Sequence, residues 1–204
     1  MIGIINYGLG NLFSVQKAFN RLGLKTKIIS DPNDIRQVDK LILPGVGYFS
    51  FGMEKLKSLN WLETLNEKVL REKTPILGIC LGMQLMTKKS QEGEATGLGW
   101  FDAETIRFDF NDLNEAPKIP HMGWNTVDFI KDHPLFAGIA EEAYFYFAHS
   151  YYVKLNDKSD LLGATEYGLK FASIINRDNL YGVQFHPEKS HKNGLQLLKN
   201  FGNL

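Results

Sequence analysis

The sequence predicts an α/β protein with a mostly parallel sheet and helices on both faces. Three observations predict it. In the first half, short apolar runs of strand character alternate with segments of helical period. One of these runs, residues 74–79, leads into a cysteine with a glycine close on either side, then into a segment with helical potential. The second half is richer in aromatics and short strands, which adds antiparallel hairpin material.

The elements follow in order. Residues 2–6 read as a buried strand, since Ile2, Ile4 and Ile5 sit in a short, uncharged run. Residues 12–22 read as a helix, with Gly23 as its C-terminal stop. Residues 25–29 and 40–43 read as further strands. Leu62, Leu65, Val69 and Leu70 mark one face of a helix. Residues 74–79 form the strand that feeds the cysteine. Beyond a change of texture near residue 100, residues 124–130, 143–152, 161–165, 171–175 and 181–185 are candidate strands, mostly in antiparallel hairpins. Residues 193–201 look like a closing helix. No repeat, low-complexity tract or Pro/Gly/Ser linker interrupts the chain, so residues 1–204 read as a single domain.

Composition narrows the function. A chain of 204 residues can bury a full-sized core. Lys+Arg and Asp+Glu are equal at 23 each, so no global field draws in nucleic acid or an anionic membrane. The single cysteine excludes an internal disulfide and suits a reducing cytoplasm. Met1-Ile2-Gly3-Ile4-Ile5-Asn6 has no basic region ahead of a long apolar stretch, and so does not read as a signal peptide. No apolar run approaches the roughly 18–20 residues of a membrane span. No Cys/His cluster has metal-ligand spacing, and neither a metal nor a cofactor is expected.

The chemistry concentrates at Cys80. Gly78-Ile79-Cys80-Leu81-Gly82 has the layout of a nucleophile elbow, a sharp strand-to-helix turn that exposes one reactive side chain. Glycines at 78 and 82 remove side chains that would clash with the turn. A helix N-terminus beside the sulfur favours a thiolate. A lone cysteine in an apolar run is more often a small buried hydrophobe. Here the glycines and a distant motif tell against that. Gln184-Phe185-His186-Pro187-Glu188-Lys189 offers a base, His186, and a carboxylate, Glu188, to orient it. Pro187 stiffens the link between them.

Other segments are less decisive. Leu43-Pro44-Gly45-Val46-Gly47 follows a strand, and its glycines permit a backbone that turns an N–H toward a ligand. Beside Cys80 it could supply one oxyanion donor, with the Leu81 N–H as the other. It also reads as an ordinary strand-to-helix turn. Gly8-Leu9-Gly10-Asn11 lacks the third glycine of a dinucleotide fingerprint, which excludes a nucleotide site there. His121-Met122-Gly123-Trp124-Asn125 reads either as an interface loop or as a turn with a core Trp. Tyr146-Phe147-Ala148-His149-Ser150 could present His149 and Ser150 to a site, or equally end a strand facing solvent.

With these residues in view, the chain resembles the class I (triad-type) glutamine amidotransferases. Asn6-Tyr7-Gly8-Leu9-Gly10-Asn11, Pro44-Gly45-Val46-Gly47, Gly82-Met83-Gln84, Pro120-His121-Met122-Gly123-Trp124-Asn125 and Gln184-Phe185-His186-Pro187-Glu188-Lys189-Ser190 are most similar to the subfamily of imidazole glycerol phosphate synthase glutaminase subunits. Val46 and Met83 stand where amidotransferases for anthranilate, carbamoyl phosphate or GMP typically carry Pro and His. The resemblance implies a flavodoxin-like mixed sheet flanked by helices. It implies hydrolysis of L-glutamine through a thioester on Cys80, with ammonia passed to a separate (β/α)₈ cyclase subunit in histidine biosynthesis.

By that resemblance the triad is Cys80, His186 and Glu188, and Val46, Gly47 and Leu81 form the oxyanion hole. Gly45, Gln84, Glu92, Tyr146, His149 and Ser150 bind substrate, while Asn11, Trp124 and Lys189 face the partner. The bulky Tyr48-Phe49-Ser50-Phe51-Gly52-Met53, and a Gly99-Trp100-Phe101-Asp102-Ala103 segment without Pro-Gly, depart from the subfamily's pattern. They leave open a paralogous subunit that supplies ammonia in bacterial surface-sugar modification. A stand-alone cysteine hydrolase gives no role to residues 120–125. A non-catalytic regulatory subunit gives none to an intact triad.

Overall fold

A computed structural model of the protein describes residues 1–111 and 113–204. Its first half alternates as expected: β1 (Ile2–Ile5), α1 (Leu12–Arg21), β2 (Thr26–Ile29), β3 (Lys40–Gly45), α2 (Phe49–Ser58), α3 (Trp61–Asn66), β4 (Ile76–Cys80) and α4 (Leu81–Leu85). The second half contributes β5 (Lys89–Ser90), β6 (Ala95–Thr96), β7 (Ala103–Arg107), β8 (His121–Thr126), β9 (Asp128–Phe129), β10 (Tyr144–His149), β11 (Tyr151–Leu155), β12 (Leu161–Tyr167), β13 (Leu169–Arg177), β14 (Leu180–Val183) and the closing helix α5 (His191–Asn203). The main sheet runs β2-β1-β3-β4-β14-β13-β11-β7-β5-β6, with β12 and β9 branching from β13. The strands from β2 to β14 are parallel, and β13, β11 and β7 continue antiparallel. β8 and β10 form a separate two-stranded sheet.

The parallel strands are apolar on both faces because helices cover both. In β3, Ile42 packs on one side with Phe19 of α1 and Phe201 of α5. Leu41 and Leu43 pack on the other with Phe49, Leu56 and Trp61 of α2 and α3. α1 starts at an Asn11 cap, whose side-chain oxygen accepts from the Ser14 N–H at 3.2 Å, and Gly23 beyond its end takes φ of +72°. Among the described residues, no helix is long and apolar enough to cross a membrane.

Three sequence expectations are corrected. Residues 181–185 are not simply hairpin material: β14 lies parallel to β4, with Val183 opposite Ile79. The 143–152 strand divides at Ser150 into β10 and β11, which belong to different sheets. The 124–130 strand divides at Val127. Helix α2 escaped notice because it has no side-chain cap and contains Gly52. Gly52 packs closely, since a Cβ would stand 3.1 Å from the Leu85 side chain of α4.

The tightest point in the molecule is where α4 crosses β3. A Cβ at Gly82 would stand 1.8 Å from the Leu43 carbonyl oxygen. Backbone cannot yield there without disrupting β3 and the turn together. Gly82→Ala is therefore expected to cost more than about 4 kcal/mol, among the largest single-residue losses. Denaturant unfolding checks this, and a loss within about 1 kcal/mol contradicts the close crossing.

Candidate active site

Cys80 is the last residue of β4 and caps α4, with φ of +53° and ψ of −110°. That conformation is rare for a residue with a Cβ and costs of order 1–3 kcal/mol, held by the surrounding packing. Both flanking glycines are required by contact. A Cβ at Gly78 would stand 2.7 Å from the Gly82 carbonyl carbon and the Met83 nitrogen, and Gly82 lies against Leu43 as above. The elbow inferred from the sequence is thus present, at the carboxyl end of a central parallel strand.

The parallel pairing of β14 with β4 carries residues 184–188 out beside the thiol. His186 is fixed through its backbone: its N–H donates to the Tyr146 carbonyl at 2.9 Å, and its carbonyl accepts from the Ser190 hydroxyl at 2.6 Å. Its Nδ1 lies 2.9 Å from Glu188 Oε1, and both side chains are almost wholly buried. A carboxylate at Nδ1 places the hydrogen there and turns Nε2 toward the sulfur. Burial opposes a charged ring, but hydrogen bonds to Cys80 and Glu188, with their negative charges, push the His186 pKa up to about 10. The two partners thus favour the protonated ring, against its burial.

A cavity of about 270 Å³ opens over the sulfur. Val46, Gly47, Cys80, Leu81, Gln84, Glu92, His149 and Ser150 all line it, so eight residues singled out in the sequence meet there. Gly45 lies alongside Cys80 in the sheet register. A Cβ on it would meet the Tyr7 hydroxyl at 2.6 Å and the Gly82 nitrogen at 2.9 Å. The buried Tyr7 hydroxyl donates to the Pro44 carbonyl at 2.8 Å and so pins the start of the loop. Gly47 takes φ of +106° with nothing within 4 Å of its Cβ position, so the backbone conformation itself calls for glycine there.

Gln84 is nearly buried, and both its amide hydrogens are used. Nε2 donates to the Tyr151 carbonyl at 2.9 Å and to Gln184 Oε1 at 3.0 Å. That leaves the Gln84 oxygen as its unspent acceptor. Glu92 accepts from the Phe49 N–H at 2.8 Å; burial raises its pKa against this bond. Two acceptors lining one cavity suit an ammonium group.

Tyr146 is not brought to this cavity. It stands on β10 opposite Trp124 of β8, their rings 5.9 Å apart, with the Lys189 ammonium 5.7 Å from its ring centre. Trp124 is 46 % exposed. Asn11 is exposed at the start of α1. Gln184 had no assigned role, yet its Nε2 lies 3.7 Å from Cys80 Sγ. Its position two residues before His186, in the same short segment that follows β14, was the available signal.

Two further histidines are neutral. Burial pushes His121 down to about 4 and His149 down to about 3. Unfolded histidines charge near 6.5. The contribution of these rings to stability is full above pH 6.5 and is lost as pH falls toward 4 and then 3. Unfolding free energies from denaturant titrations at pH 7 and pH 5 are expected to differ by of order 2–4 kcal/mol for the two rings together. Equal stability at both would contradict their burial as neutral groups.

A thiol at the floor of a small cavity, backed by a histidine and then a glutamate, defines a cysteine-nucleophile triad of the amide-hydrolysing type. The sequence profile described as "Glutamine amidotransferase class-I" matches residues 3–203. "Imidazole glycerol phosphate synthase subunit HisH 2" of Methanococcus maripaludis is 50 % identical over 201 residues, 98 % of each chain. "Imidazole glycerol phosphate synthase subunit HisH" of Sulfurimonas denitrificans is 50 % identical over 202 residues, 98 % of this chain and 97 % of its own. Among solved structures, a glutamine amidotransferase superposes with a TM-score of 0.75 at 15 % identity, covering 100 % of this chain and 99 % of its own. A putative GMP synthase component from Thermoplasma acidophilum gives 0.73 at 21 %, covering 99 % and 92 %. At those identities the two structures show the shared fold alone. The chain belongs to the class I glutamine amidotransferase family, and within it to the imidazole glycerol phosphate synthase subunits called HisH. The relatives' names do not favour the surface-sugar paralogue.

Proposed function

We propose that this chain, as one amidotransferase domain over residues 1–204, hydrolyses L-glutamine and delivers the ammonia to a (β/α)₈ cyclase subunit. The observation that carries the reading is the Cys80–His186–Glu188 constellation, whose Cys80 lines a cavity sized for a small amino acid. Cys80 Sγ attacks the carboxamide carbon. The tetrahedral oxyanion is met by the Leu81 N–H and by a donor from the 45–47 loop at Val46 or Gly47. His186 gives its proton to the departing ammonia, leaving a thioester on Cys80. It then takes a proton from water, which attacks the thioester and releases glutamate and the thiolate. Glu188 keeps the ring oriented throughout. Gln84 and Glu92 accept from the α-ammonium, while Gly45, His149 and Ser150 shape the wall at the α-carboxylate.

The partner reading is supported by an exposed apolar strip. Met122, Trp124 and Tyr144 are 65 %, 46 % and 55 % exposed on the β8–β10 sheet. Asn11, Trp124 and Lys189 belong to the docking surface in this reading, and Tyr146, between Trp124 and Lys189, sits beneath it. A heterodimer in the cytoplasm, without cofactor, metal, nucleic acid or membrane, completes the proposal. The test is glutamine turnover with and without a cyclase barrel and its ribotide ligand. Activation by the histidine-pathway barrel is expected. Full activity unchanged by any barrel would favour a stand-alone hydrolase, and activation only by a surface-sugar barrel would move the chain to that paralogue.

A further inference from the structure

Segment 120–125 lies outside the triad, yet one of its side chains enters a buried hydrogen-bonded chain. His121 is 3 % exposed. Its ring is clamped between Tyr167 and Phe147, with centroids 3.9 and 4.7 Å away. His121 Nδ1 lies 3.0 Å from His149 Nε2, and His121 Nε2 lies 3.3 Å from the Asn125 amide nitrogen. His149 Nδ1 lies 2.7 Å from the Tyr151 carbonyl oxygen.

Only one set of protons satisfies this chain. A carbonyl oxygen only accepts, so His149 donates to Tyr151 through Nδ1–H. In a neutral ring Nε2 is then bare and accepts from His121 Nδ1–H. His121 Nε2 is bare in turn and accepts from the Asn125 amide, which also donates to the Glu166 carbonyl at 2.9 Å. Burial keeps both rings neutral, down to about 4 for His121 and about 3 for His149. The chain is a fixed scaffold and carries no proton to the thiol.

Its end point matters. The Tyr151 carbonyl that receives His149 also receives Gln84 Nε2 at 2.9 Å. His149, Tyr151 and Gln84 all line the cavity over Cys80. We propose that His121 is a positioning residue for glutamine binding, which holds the His149 ring in place by donating to its bare Nε2 and, through the Tyr151 carbonyl that His149 and Gln84 share, aims the Gln84 oxygen into the cavity. The inference rests on the glutaminase reading. Cys80 itself is held by the elbow, independently of this chain, so binding is affected before chemistry.

His121→Phe tests it, because a phenyl ring keeps the stacking and removes the donor. Glutamine KM is expected to rise roughly ten-fold, as for loss of a buried hydrogen bond, with kcat within about two-fold. His121→Gln, whose amide can donate to His149 Nε2, is expected to restore most of the loss. An unchanged KM in His121→Phe, a loss confined to kcat, or equal losses in the Phe and Gln variants would overturn the proposal. Side-chain ¹⁵N NMR of the unmutated chain reads the tautomers directly, whether or not a variant folds. Nδ1–H on both His121 and His149 is expected, and Nε2–H on either ring would overturn it. An unmutated chain that turns over no glutamine with any barrel would instead overturn the glutaminase reading, while the tautomers still decide the scaffold.

Discussion

Cys80→Ala is expected to lower glutamine hydrolysis by at least about 10⁴-fold while leaving the chain folded. The chain contains no other cysteine, so no neighbouring thiol can substitute. Alanine keeps the Cβ, so the elbow and the covering of Gly78 and Gly82 are preserved. Cys80 is almost wholly buried but lines the cavity, and removing its sulfur takes a hydrogen-bond partner from the Gln184 amide and from the His186 ring, both beside that cavity. Turnover assays beside thermal melting check both halves. Retained hydrolysis would remove Cys80 from the mechanism. Lost hydrolysis with lost folding would say only that the turn had failed, which Cys80→Ser would then resolve.

His186→Ala is expected to cost about 10³–10⁵-fold in kcat, since one ring both protonates the leaving ammonia and activates water. Glu188→Gln is expected to be milder by about ten-fold or more, because Glu188 orients and does not transfer the proton. His186→Ala carries a second signature. Glu188 is 2 % exposed at its side chain, and its Oε2 already has no hydrogen-bond partner among the described residues. Removing the imidazole strips the partner from Oε1 as well, so stability is expected to fall by a further few kcal/mol. The double variant with Glu188→Gln is expected to recover part of that stability and none of the turnover. A Glu188→Gln variant slower than His186→Ala would reverse the assignment of roles.

Much of this site was legible in the sequence because its chemistry is local. Gly78, Cys80 and Gly82 fall within five residues, and each glycine answers a specific contact in the turn. His186 and Glu188 sit on one short turn after β14, so their pairing follows from sequence distance alone. What the sequence did not convey depends on tertiary placement. β14 had to be parallel to β4 for His186 to reach the thiol, and the short aromatic run at 181–185 fits a hairpin equally well. The Tyr151 carbonyl is backbone and has no residue-type signature. Segment 120–125 was ambiguous between interface and core because β8 is both: His121 points in and Trp124 points out, as strand alternation requires. Tyr146 belongs to a motif whose Ala148, His149 and Ser150 line the cavity, yet it lies further back along β10, where its ring meets Trp124 and Lys189.

The most direct measurement of the central claim is covalent trapping. The chain is incubated with a glutamine analogue carrying an electrophile at the carboxamide position, with and without a cyclase barrel, and the adduct is mapped by peptide mass spectrometry. The account predicts one adduct, on Cys80, formed faster with the barrel and suppressed by excess L-glutamine. An adduct on another residue, or labelling of Cys80 that glutamine does not compete with, would contradict it.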